Sequence, residues 1–209
     1  MMSITARPVY SDAPRPGAIQ PGWLRLVHWL NVLAVVVMVA SGWRIYNASP
    51  LFDFRFPNEY TLGGWLGGAL LWHFAAMWLL VANGLLYLLL NIGSGRMARR
   101  FFPISARGIV HDVFGALRGR LSHDDLRHYN HVQRAAYLFA VLDLAALVIS
   151  GLAIWKPVQF SLLCGLLGGY PAARWVHFVA MSLLVLFIVV HVAMAVLVPR
   201  TLRTMISGR

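Results

Sequence analysis

Acid and sulfur are scarce in this chain. Its 209 residues include seven Asp and Glu against 18 Lys and Arg, and a single cysteine, Cys164. One cysteine excludes an intramolecular disulfide, a Cys-rich iron–sulfur pattern and a CxxCH motif for covalent cofactor attachment. With so few carboxylates, any bound metal or cofactor has to hang chiefly on histidine, of which there are eight. Charged residues make up only 12% of the whole, about half the usual soluble share. That excludes an ordinary soluble domain. The chain is instead 59% hydrophobic, much of it in long unbroken runs.

Four of these runs are long enough to cross a bilayer, whose hydrocarbon core needs about 20 apolar residues in a helix. The spans expected are 23–43, 63–91, 131–155 and 173–198, within a membrane domain covering 22–199. Residues 1–21 carry four prolines and read as a flexible N-terminal tail with no signal-peptide pattern. Residues 200–209 read as a basic C-terminal tail, and 92–130 as a long polar loop. That loop holds Arg96, Arg99, Arg100, Arg107, Arg118, Arg120 and Arg127, whereas the two loops on the other side carry only Arg44, Arg55, Lys156 and Arg174. The formal charge of +11 therefore follows membrane topology rather than phosphate binding, and no nucleic-acid partner is expected. The positive-inside rule puts both termini in the cytoplasm. The fold class is all-α, an integral membrane four-helix bundle with lipid as its surroundings.

The last span carries two strongly polar side chains, His177 and His191. Fourteen residues of helix separate them by roughly 21 Å along the axis and only some 40° around it. Both rings thus leave nearly the same face, one near each membrane surface. An ionisable side chain inside hydrocarbon is costly and points to function. His28 begins the first span and His73 lies early in the second. Alternating span directions sort the four by depth, His28 with His191 and His73 with His177. Opposed imidazoles from different helices suit a six-coordinate haem b, so two bis-histidine haem groups are expected. A zinc site would want three or four ligands at one level. The bland alternative, single histidines hydrogen-bonding across helices, explains matched levels less well.

The two halves echo one another. His73 opens HFAAMWLLV and His177 opens HFVAMSLLV, while spans one and three end in Val-Ala-Ser-Gly-Trp (39–43) and Val-Ile-Ser-Gly-Leu (148–152). Aligned so, Tyr87 falls opposite His191 and Tyr137 opposite His28.

At these residues the chain resembles the bacterial cytochrome b-561 / nickel–iron hydrogenase cytochrome b group. The resemblance covers about residues 20–205: four spans, His28, His73 and the His177-x13-His191 pair. It implies a multi-pass protein of the bacterial inner membrane, with two b haems passing electrons between a periplasmic redox subunit and quinone. By the same resemblance, that subunit is expected to be a molybdopterin oxidoreductase. The group also includes stand-alone superoxide:quinone oxidoreductases, a second reading; a haem-free membrane anchor or transporter is a third.

Haem propionates need cationic or hydrogen-bonding neighbours. Arg25 and Arg134 are candidates beside the inner haem, and Arg44 and Arg174 beside the outer one; each also reads as an interface arginine that sets topology. Asp143 falls mid-span, where it would pair with Asn31 or Asn83, or relay protons. His111, His123, His128 and His131 gather with Asp112, Asp124 and Asp125 around the polar loop, and read as a solvated loop. His131 stands apart, bordering span three.

Overall fold

The computed structural model describes residues 19–118 and 129–208. Most of the N-terminal tail, Arg120, Arg127, His123, His128, Asp124, Asp125 and Arg209 lie outside the described residues. Eight α-helices are found among those described: α1 Gly22–Ala48, α2 Leu66–Gly93, α3 Arg96–Phe101, α4 Ala106–Leu117, α5 His131–Trp155, α6 Ser161–Leu166, α7 Tyr170–Leu197 and α8 Pro199–Ile206. No strand occurs among them. Four helices, α1, α2, α5 and α7, are long and apolar enough to cross a membrane. A helix closes its backbone hydrogen bonds within one segment, which is what a chain in hydrocarbon requires.

The ends of these helices follow from local chemistry. Pro21 precedes α1, and Pro171 and Pro199 sit in the first turns of α7 and α8, where a missing N–H costs nothing. Asn130 caps α5 by accepting from Gln133 N–H at 2.7 Å, and the Gln133 side chain returns the bond to Asn130 N–H at 3.1 Å. Gly63 and Gly64, at φ 107° and 70°, turn the chain into α2; a Cβ on Gly63 would meet Ala69 N at 2.4 Å.

Close helix packing runs within two hairpins, α1 with α2 and α5 with α7; between the hairpins the helices stand further apart. The seams are lined by small residues. Val27, Ala34 and Ser41 recur every seventh position on α1 and face Ala69, Ala76 and Leu80 of α2. Asp143, Ser150 and Ala153 of α5 and Ala173, Ala180 and Leu184 of α7 are buried in the same way. Small side chains let membrane helices approach closely. Large apolar ones, including Leu71, Trp78, Leu89, Leu186 and Val196, point outward as a lipid-facing surface would.

The two ends of the bundle differ. At one, aromatic rings of the 49–65 loop strap α1 to α7: Phe56 stacks on Trp43 at 4.6 Å, and Phe52 meets Trp175 at 5.0 Å and Phe178 at 5.4 Å. The opposite, arginine-rich end gathers α3, α4 and α8. The segment read as a loop, 92–130, carries α3 and α4, and the residues read as a basic tail form most of α8. The tail before α1 is pinned where it is described, with Ile19 N–H donating to Gly208 O at 2.8 Å and Gln20 buried.

Candidate functional site

At the arginine-rich end, the rings of His28 on α1 and His191 on α7 face each other with centroids 6.2 Å apart and planes at 59°. Phe187, one turn earlier on α7, stacks on His191 at 5.6 Å, and Trp29 meets His28 edge-on at 5.3 Å. All four intramembrane histidines are half-buried.

At the aromatic end stand His73 of α2 and His177 of α7, one in each hairpin. Each is held in the seam of its own hairpin. His73 Nδ1 lies 3.0 Å from Ser41 Oγ, and His177 Nδ1 lies 3.0 Å from Ser150 Oγ. Each hydroxyl spends its own proton within its helix, on Val37 O and Ala146 O, both at 2.6 Å. The hydroxyl oxygens are therefore acceptors towards the rings. A ring that donates from Nδ1 to such an oxygen leaves its Nε2 lone pair for a ligand, the usual arrangement of a metal-binding histidine. Next to each serine is a glycine: a Cβ on Gly42 would lie 3.5 Å from His73 Cε1, and one on Gly151 3.4 Å from His177 Cε1. The serines were missed as positioning residues when the chain was read as sequence, although the repeated Ser-Gly pair in the two halves was the signal for them.

The arginine candidates all hold backbone. Arg25 donates to Ile206 O at 2.7 Å and keeps a buried Nε with no partner. Arg134 donates to Tyr129 O and Pro103 O, both at 3.0 Å. Arg44 donates to Asn58 Oδ1 and Gly64 O, and Arg174 to Ser49 O and, at 3.3 Å, Ser49 Oγ. These bonds tie helix ends to neighbouring segments. A guanidinium has five donors, so each retains some for an anion.

Asp143 does not join the asparagines. Asn83 donates to Val27 O at 2.8 Å and to Asn31 Oδ1 at 2.6 Å, in the other hairpin, whereas Asp143 Oδ2 is buried without a partner. His131 is a packing residue. Its ring lies against Gly108 of α4, its Nδ1 accepts from Ser105 N–H at 3.3 Å, and its backbone N–H donates to Asp112 Oδ2 at 2.8 Å. Burial pushes the Asp112 carboxyl up. The backbone N–H of His131, the His111 ring and the backbone N–H of Val132 outweigh it and hold the carboxyl below its ordinary range. Among the described residues no three His, Cys, Asp or Glu side chains converge as a metal cluster. The rings of His28 and His191 meet as a pair.

A family model described as prokaryotic cytochrome b561 matches residues 19–208. The chain is 65% identical over 191 residues to a putative protein-methionine-sulfoxide reductase subunit YedZ1 of Azospira oryzae, covering 91% of this chain and 96% of that one. It is 26% identical over 189 residues to a probable Ni/Fe-hydrogenase B-type cytochrome subunit of Cupriavidus necator, covering 83% of this chain and 76% of that one. With four helices long and apolar enough to cross a membrane, this chain belongs to the prokaryotic cytochrome b561 family of multi-pass bacterial membrane proteins.

Proposed function

We propose that this protein is a di-haem membrane cytochrome. It passes electrons between a redox subunit outside the inner membrane and quinone, with its arginine-rich end and both termini in the cytoplasm. His28 and His191 would hold one haem b, His73 and His177 the other.

The observation that carries this reading is the meeting of the His28 and His191 rings. An imidazole nitrogen sits about 2 Å from a first-row metal and roughly 1.1 Å from its own ring centroid, so two axial rings on one ion stand about 6 Å apart. The 6.2 Å separation fits that distance. The donor set fits as well: Nδ1 of His73 and of His177 lies against a serine hydroxyl, which leaves Nε2 for iron. A b haem with both axial positions filled by imidazole supplies a one-electron couple and no open coordination site.

The residues around it do the rest. Ser41 and Ser150 hold the outer rings in one tautomer and orientation. Gly42 and Gly151 let those rings lie against α1 and α5. Arg44 and Arg174 offer remaining donors to carboxylates at the outer end, Arg25 and Arg134 at the inner end. The names of both relatives support a partner subunit. We assign this chain's partner the chemistry printed for the more similar one, a protein-methionine-sulfoxide reductase, and retain the molybdopterin oxidoreductase as its expected class.

Haem per chain, measured on the purified protein as the pyridine haemochrome, tests the reading. Two are expected, and His177→Ala or His191→Ala should each leave one. A count unchanged in both variants overturns the pairing.

A further inference from the structure

Arg96 lies in the region read above as topology-setting charge, yet it is turned inward. Its Nη2 donates to Gln20 Oε1 at 3.2 Å, and Gln20 Nε2 donates to the Tyr129 hydroxyl at 3.2 Å. Gln20 is only 6% exposed. The Arg96 Nε is buried and has no partner. Arg100 lies over the Tyr129 ring at 5.1 Å, and Tyr129 meets Tyr137 of α5 at 5.0 Å. Tyr87 of α2 lies within electrostatic reach of both Arg96 and Tyr129. Burial and the neighbouring Arg100 hold the Arg96 guanidinium below its ordinary range, so its charge is costly where it sits. Among the described residues no carboxylate pairs with it. A half-buried cation of this kind calls for an anion.

The depth of the cluster says which anion. Tyr87 stands fourteen residues beyond His73, as His191 stands fourteen beyond His177, so Tyr87 lies at the level of the His28–His191 pair. Arg96 follows nine residues later, beyond the end of α2 and towards the arginine-rich surface. A tetrapyrrole held by those histidines has an apolar body for the bundle and two carboxylates on one edge. That edge belongs at the aqueous boundary, where a guanidinium binds carboxylate with charge-assisted bonds. We infer that Arg96, with the hydroxyls of Tyr87 and Tyr129, anchors a carboxylate of the inner macrocycle. Quinone is neutral and leaves the orphaned cation unanswered. The inference rests on the di-haem reading.

The experiment is a redox titration of purified protein in nanodiscs, followed by optical spectra of the two haem transitions. Wild type is compared with Arg96→Gln and Arg96→Lys. A cation on a propionate favours the reduced, more negative centre, so Arg96→Gln should lower the midpoint of one transition and leave the other unmoved. Arg96→Lys, which keeps the charge, should restore most of the shift. Loss of one haem per chain in Arg96→Gln with retention in Arg96→Lys supports the anchor equally. If neither variant moves either transition and both keep two haems, the inference is overturned. It is also overturned if Arg96→Gln only releases a co-purifying anionic lipid, or only alters quinone binding. Wild-type haem content separates the two levels: a chain without a haem on His28 and His191 fails the functional reading itself.

Discussion

The two hairpins, α1–α2 and α5–α7, share one plan at the aromatic end and part company at the other. Ser41, Gly42 and His73 in the first have the same geometry as Ser150, Gly151 and His177 in the second, down to equal 3.0 Å contacts. Ala69, Ala76 and Leu80 match Ala173, Ala180 and Leu184. At the arginine-rich end the equivalents diverge: His28 against Tyr137, His191 against Tyr87, Asn83 against Phe187, and Ala34 against Asp143. The proposed His73–His177 pair thus joins equivalent positions of the two hairpins, while His28 and His191 are non-equivalent. Of the tyrosines in the histidine positions, Tyr87 lies within electrostatic reach of Arg96, and Tyr137 meets Tyr129, whose ring lies under Arg100.

The sharpest way to break this comparison is to exchange the mid-seam residues. Ala34 is packed at 1% exposure and Asp143 at 6%, with one carboxylate oxygen unpartnered. Ala34→Asp should destabilise the protein by about 3 kcal/mol, the order of cost of a carboxylate at a membrane helix centre. Asp143→Ala should be neutral or stabilising, because it removes a buried acceptor with no bond to lose. Unfolding in detergent measures both. Should Asp143→Ala destabilise as much as Ala34→Asp, the carboxyl is a structural member of its seam and the two halves differ more deeply than their helices suggest.

A smaller effect sharpens the shared part. Ser41→Ala and Ser150→Ala each remove an acceptor from a histidine Nδ1–H, costing about 1 kcal/mol in stability. Outer orienting groups of this kind typically affect metal retention about 10-fold or more. For the loss of one acceptor the low end of that range is expected. Transfer of haem to a scavenging apoprotein reports it. Equal rates in the two variants uphold the twofold plan; a difference beyond a few-fold breaks it.

The smallest effect concerns a contact with no counterpart among the described residues of the first hairpin, the Asp112 carboxylate under the start of α5. Its carboxyl lies below the ordinary range when folded, so its contribution is present above about pH 4 and lost as pH falls through the folded value. Asp112→Ala should cost about 1 kcal/mol at neutral pH and progressively less in acid. Thermal unfolding of wild type and variant at both pH values checks the sign.

The spans were legible because hydrocarbon imposes length and composition directly. The histidines were legible because a fourteen-residue interval fixes both depth and face on a helix. Ser41 and Ser150 were not, since a serine that bonds back to its own helix looks like any other until a ring is seen against it. Nor were α3 and α4 visible: their arginines satisfy a topology rule whatever structure they adopt. Arg96 illustrates the limit best. Composition marks it as one of seven similar cations in the 92–130 segment, and only its orphaned Nε sets it apart.

The tight seams inside each hairpin carry a consequence for biogenesis. Each pair can enter the bilayer as a finished piece, its small-residue interface already complete, before the other has left the ribosome. The final step is then a docking of two prefabricated halves, steered at one face by the aromatic strap of residues 49–65 and at the other by the Arg25 grip on α8. A lesion in either fastening should delay that last union while leaving insertion of the separate pairs untouched.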